Sequence, residues 1–105
     1  MSTVKIYKED HEVFHTTIHQ EFYIAQAPTG ELFWHENTDV KRPGVLKIWL
    51  KIINKTTKLS FVLPDWQLII NGVEMEKIFY EDIENLEGKE VELRYKEYRF
   101  VFQFD

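Results

Sequence analysis

The sharpest chemical pattern in the chain is His11-Glu12-Val13-Phe14-His15. Two imidazoles four residues apart fall on one face of a helix, close enough to share a zinc ion. The Glu between them can then act as general base on a metal-bound water. His19 extends the series to i, i+4 and i+8. On a helix, neighbouring members come within reach of one metal. On a strand, even spacing keeps all three on one face, but each step spans about 13 Å, too far for one ion. A second constellation is Trp49 between Lys47 and Lys51. An aromatic ring flanked by cations on a strand suits three roles. It is a stacking platform for single-stranded nucleic acid, a protein-binding hot spot, or a ring covered by lysine stems or by a second core layer. His35 stands alone and receives no role.

The five residues His11 to His15 resemble the zinc-binding signature of zincin metallopeptidases. That resemblance implies zinc on His11 and His15 with Glu12 as the base. The extended metzincin form needs a glycine and a third histidine where this chain has Ile18 and Glu21. A gluzincin-like third ligand would be a downstream Glu, and several qualify. An amphipathic helix from Glu9 to Gln26 would align Phe14, Ile18, Phe22 and Ala25. Against it stand the β-branched Val13, Thr16, Thr17 and Ile18, which lose side-chain freedom in a helix. The strand reading leads, and with it neither metal nor cofactor is expected.

Other catalytic patterns are missing. The chain has no Gly-rich phosphate loop and no Gly-x-Ser-x-Gly elbow. Its serines, Ser2 and Ser60, lie in no nucleophile context, and there is no cysteine. Disulfides, thiolate metal sites and cysteine nucleophiles are thereby excluded. The acidic run Glu81, Asp82, Glu84, Glu87 lacks the spacing and glycine of a calcium loop.

The elements that must position these residues read as strands. With 44% hydrophobic and 15% aromatic residues in 105, the chain has material for one core and one domain, residues 1–105. Turn signals recur at Pro28-Thr29-Gly30, Arg42-Pro43-Gly44, Asn54 to Lys58, Pro64-Asp65, Asn71-Gly72 and Glu87-Gly88. The stretches between them suit strands. Asn71-Gly72 is a type I′ hairpin turn; counting outward pairs Ile70 with Val73, Leu68 with Met75 and Trp66 with Lys77, with one face apolar. Tyr98, Phe100, Phe102 and Phe104 alternate with Arg99, Val101, Gln103 and Asp105, and Val91, Leu93 and Tyr95 with polar residues, predicting a hairpin that turns at Lys96-Glu97. Leu46, Ile48, Leu50 and Ile52 form one face of a strand opposite Lys47, Trp49 and Lys51. Leu59, Phe61 and Leu63 follow in another strand, and Ala27 to Gly30 forms a hairpin loop. A single helical turn is expected over Asp82 to Glu87. The fold class is all-β: a small β-sandwich of immunoglobulin-like architecture, or a partly open barrel, with eight or nine short antiparallel strands.

Charge is segregated. Residues 41–58 hold six basic side chains (Lys41, Arg42, Lys47, Lys51, Lys55, Lys58) and no acidic one, whereas residues 74–92 hold eight acidic ones against Lys77 and Lys89. Such stretches complement each other, a second copy or a partner. The net charge of −5 argues against nucleic acid. Neither a signal peptide nor a membrane-spanning run is evident, and the lack of cysteine suits a reducing interior. The expectation is therefore a non-catalytic, cytoplasmic protein-binding module. It acts on a protein partner or as a homodimer through Trp49, Lys47 and Lys51, for instance as a phage or mobile-element accessory that inhibits a host protein. A zinc hydrolase on His11, Glu12 and His15, and a single-strand binder on Lys47, Trp49 and Lys51, are the alternatives.

Overall fold

Short alternating segments and tight turns give eleven strands among the described residues of a computed structural model. It describes residues 2–27, 29–36, 45–53, 56–61, 65–75, 81–84 and 86–104, and for 45–53, 56–61 and 81–84 the backbone alone. The strands are β1 (Thr3–Lys8), β2 (His11–Thr17), β3 (Glu21–Gln26), β4 (Leu32–His35), β5 (Val45–Ile53), β6 (Thr56–Phe61), β7 (Gln67–Ile70), β8 (Val73–Glu74), β9 (Glu81–Glu84), β10 (Glu90–Tyr95) and β11 (Tyr98–Gln103). They form two antiparallel sheets, ordered β2-β1-β11-β10-β7-β8 and β4-β3-β5-β6-β9. The architecture is the layered sandwich, not a closed barrel.

Two strands exceed the expected number. β1 escapes the turn signals because its hairpin to β2 turns on Glu9 and Asp10, at φ 51° and 64°. Non-glycine residues seldom take such angles. β9 occupies the stretch expected to be a helical turn: Asp82 pairs with Ser60 and Glu84 with Lys58. Pairing to β6 supplies these backbone groups with partners, so an isolated helical turn has no advantage. β6 likewise resumes at Thr56, opposite Ile53, inside the expected turn Asn54 to Lys58. The expected turn at Arg42-Pro43-Gly44, Pro64, Leu63 and the Trp66–Lys77 pair lie outside the described residues.

All three hairpins read from sequence form: β3 pairs with β4 from Gln26–Leu32 to Tyr23–His35, and the other two take the expected register. Asn71 and Gly72 have φ of 48° and 79°, Ile70 pairs with Val73, and the Met75 N–H donates to the Leu68 carbonyl. Burial departs from the pattern beyond the turn. Leu68 is buried, but Val73 and Met75 are exposed, because β8 is a two-residue strand at the sheet border. Tyr95 pairs with Tyr98 across Lys96-Glu97, with Lys96 at φ 52°.

Alternation then builds the core. Val4, Ile6, Leu68, Val91, Leu93, Phe100 and Phe102 of the six-stranded sheet meet Phe22, Ile24 and Leu32 of the other sheet, all buried. Phe22 and Phe102 bridge the layers edge-to-face at 5.8 Å between ring centroids. Trp66 stacks on Tyr95 at 4.8 Å, and the Tyr95 hydroxyl accepts a hydrogen bond from Gln26 Nε2 at 2.6 Å. Burying these side chains, at about 1.5–3 kcal/mol each, fixes which face of each strand turns outward.

Candidate functional site

Residues 11–17 are strand, so the helix that would bring His11 and His15 together is not formed. The register carries the separation further. Ile6 pairs with Phe14 and Tyr7 with Glu12, leaving Val13 as the extra residue of a β-bulge. Lys8 then pairs with His11, and Lys5 with His15. Residues 5 and 8 of a strand face opposite ways. The expectation that the histidines share a face is therefore corrected: the bulge turns His11 and His15 to opposite sides of the sheet. His19 lies exposed beyond the end of β2. Among the described residues, no group of three or more His, Asp or Glu side chains is arranged to hold a metal ion.

A second bulge interrupts β5. Ile24 pairs with Ile48 and Ala25 with Leu46, which leaves Lys47 as the extra residue. The unbroken alternation expected from Leu46 to Ile52 is thereby corrected. Trp49 pairs with Tyr23 on one side and Ser60 on the other, and Lys51 with Glu21 and Lys58. The side chains of Lys47, Trp49 and Lys51 lie outside the described part. Their neighbours are informative. Tyr23 and Ala25 are buried, although each alternates with the core residues Phe22 and Ile24. Half-buried His35 sets its ring 5.5 Å from that of Tyr23. β3 is thus covered at Tyr23 and Ala25 as well as on its core side. Pairing of Lys58 with Glu84 also places a member of the basic stretch directly opposite a member of the acidic stretch in the backbone register.

The outward face of the six-stranded sheet assembles a constellation that sequence reasoning missed. Its strand order lines up two adjacent rows. One runs His15, Lys5, Val101, Glu92, Ile69 and Glu74, and the other Glu12, Tyr7, Arg99, Arg94 and Gln67. Arg99 and Arg94 stand directly opposite each other, an unfavourable like-charge pair by itself. Glu92 resolves it. Its carboxylate accepts from Arg94 Nη2 at 3.0 Å and Nε at 3.1 Å, and from Arg99 Nη1 at 3.3 Å. The Arg99 guanidinium also lies over the Tyr7 ring, 4.5 Å from its centroid, a cation–π contact. Arg99 Nε is buried without a hydrogen-bond partner, so the guanidinium is held by stacking and by one fork of its charge.

The centre of this face, formed by Tyr7, Arg99, Val101, Glu92 and Ile69, is half-buried, while Glu12, His15, Gln67, Glu74, Glu90 and Gln103 around it are exposed. At one corner Ile69, Gly72, Glu90 and Glu92 line a hollow of about 80 Å³, far below the roughly 300–1,000 Å³ of sites that enclose small ligands. What the face offers is a flat, preorganised surface with aromatic and arginine groups at its middle. Among the described residues, no helix is long and apolar enough to cross a membrane. Comparison of the chain with known protein families and with curated proteins finds no match.

Proposed function

We propose that the protein is a non-catalytic binding module that docks another protein on the outward face of its six-stranded sheet. The observation that carries this reading is the Tyr7–Arg99–Glu92–Arg94 cluster, which stands on a solvent-facing sheet yet is ordered by stacking and ion pairing before any partner arrives. Tyrosine and arginine are enriched among the residues that carry most of the binding energy in protein interfaces, and an exposed polar rim around a less exposed centre is a usual anatomy. Side chains already fixed lose little freedom on binding. This moves the contact surface from Lys47, Trp49 and Lys51 to the other sheet. Action in the cytoplasm accords with the cysteine-free composition.

The test is photo-crosslinking in cells, with p-benzoyl-L-phenylalanine in place of Val101 and, as control, in place of Gln20, which is exposed beyond β2. The reading predicts protein adducts from the first position and none from the second. A folded Val101 variant that gives no adduct contradicts it.

A further inference from the structure

The two rows on the outward face are complementary to each other. In β2, β1 and β10 one row supplies a residue that suits its neighbour in the other, His15 with Glu12, Lys5 with Tyr7 and Glu92 with Arg94, while β11 and β7 set apolar Val101 and Ile69 beside the long side chains of Arg99 and Gln67. A surface whose two halves match is what a two-fold interface requires, because in such an interface residue i meets residue j and j meets i. We infer that this face pairs with the same face of a second copy, about a two-fold axis that lies in the interface, perpendicular to the strands and midway between the rows. This inference rests on the binding role proposed for the face.

The axis exchanges the rows. His15 then stands over the partner's Glu12 and donates to its carboxylate. Lys5 stands over the partner's Tyr7 ring, and Val101 packs under the stem of the partner's Arg99. Glu92, 14% exposed at its side chain and already holding Arg94 and Arg99 of its own chain, faces the partner's Arg94, which is 49% exposed and extends that ion-pair cluster across the axis. Ile69 packs on the partner's Gln67. Each contact occurs twice. The competing axis, parallel to the strands between β11 and β10, fails on charge. It would set Arg99 over the partner's Arg94 and Lys5 over the partner's Ile69. Complementarity therefore selects one of the two geometries, and it selects a copy of this chain over a partner of single charge, since the face carries both signs in register.

Size sets the affinity. Six strands about 4.8 Å apart and about 20 Å long present roughly 500 Å² in plan. That is below the roughly 800 Å² that each partner contributes to a standard interface, so the dimer falls in the small, transient class.

Sedimentation equilibrium up to about 1 mM chain, on the intact protein, decides the matter with a charge swap. Glu12 and His15 are exposed, and substitutions there leave folding within about 0.5 kcal/mol. Glu12→Lys alone and His15→Glu alone should each weaken self-association about 2- to 30-fold, the effect of two exposed pairs per dimer. An equimolar mixture of the two variants should restore it, because the introduced lysine of one chain then faces the introduced glutamate of the other. Absence of any dimer at 1 mM overturns the inference, as does failure of the mixture to associate better than either variant. The crosslinker in place of Val101 separates the two levels of the argument. Self-adducts support the dimer, adducts only to a different protein sink the dimer but keep the binding face, and no adducts sink both.

Discussion

Asn71 closes the hairpin that carries Ile69 and Glu74 onto the outward face, and replacing it tests how that border of the sheet is held. Two terms act at this position. Its φ of 48° is one that a side chain with Cβ takes at a cost of about 1–2 kcal/mol, which Asn and Asp largely escape through local hydrogen bonds. Its Oδ1 also accepts the Glu90 N–H at 2.9 Å, while its own N–H donates to the Glu90 carbonyl at 2.9 Å. The side-chain bond contributes about 0.5–1.5 kcal/mol. Asn71→Ala removes both terms and should destabilise the fold by about 1.5–3.5 kcal/mol. Asn71→Asp keeps both and should lie within about 0.5 kcal/mol of the parent. Against a total of about 5–15 kcal/mol for a domain of this kind, the alanine change is large. It should lower the melting temperature by at least about 6 °C. Urea unfolding followed by tryptophan fluorescence measures both variants under one protocol. Equal midpoints for the alanine and aspartate variants would refute the reasoning, because they would mean that neither the left-handed backbone nor the bond to Glu90 matters.

Three further outcomes are expected. Phe102→Ala empties a fully buried position between Phe22 and Phe104 and should cost about 3–5 kcal/mol, which circular dichroism should read as a melting temperature lowered by at least about 12 °C. Tyr95→Phe withdraws the acceptor of the Gln26 amide and should destabilise by about 0.5–1.5 kcal/mol; adding Gln26→Leu should recover part of that loss in a double-mutant cycle by denaturant titration. Arg99→Lys keeps the charge but loses the planar stack on Tyr7, so folding should weaken by about 0.5–1 kcal/mol and the near-ultraviolet signal of Tyr7 should change.

The sequence is most legible where local chemistry and alternation act together. Asn71-Gly72 announces its turn through residues that tolerate positive φ, and Tyr98 to Phe104 announces its buried face through period two. Glu9-Asp10 makes the same kind of turn without the usual residues, so β1 passes unseen. The bulge at Val13 is equally silent, since one extra residue is defined only against the partner strand, and it is this residue that divides His11 from His15. The face built from Tyr7, Glu92, Arg94 and Arg99 is the extreme case. Each residue is visible as an outward member of its strand. The β10–β11 hairpin already sets Arg94 opposite Arg99, but their meeting with Tyr7 depends on β1 lying beside β11, which joins residues about ninety positions apart and is set by long-range packing rather than by any local pattern.

The bulge at Val13 has a wider consequence for assembly. A straight border strand invites copies to add edge to edge and grow into fibrils. Here the border kinks midway, and Glu12 and His15 stand exposed around the kink, so a foreign strand laid alongside would lose hydrogen-bond register within a few residues. Lateral polymerisation is frustrated at this border, while broadside contact stays open. Removing Val13 should straighten the border and hasten fibril growth at high concentration.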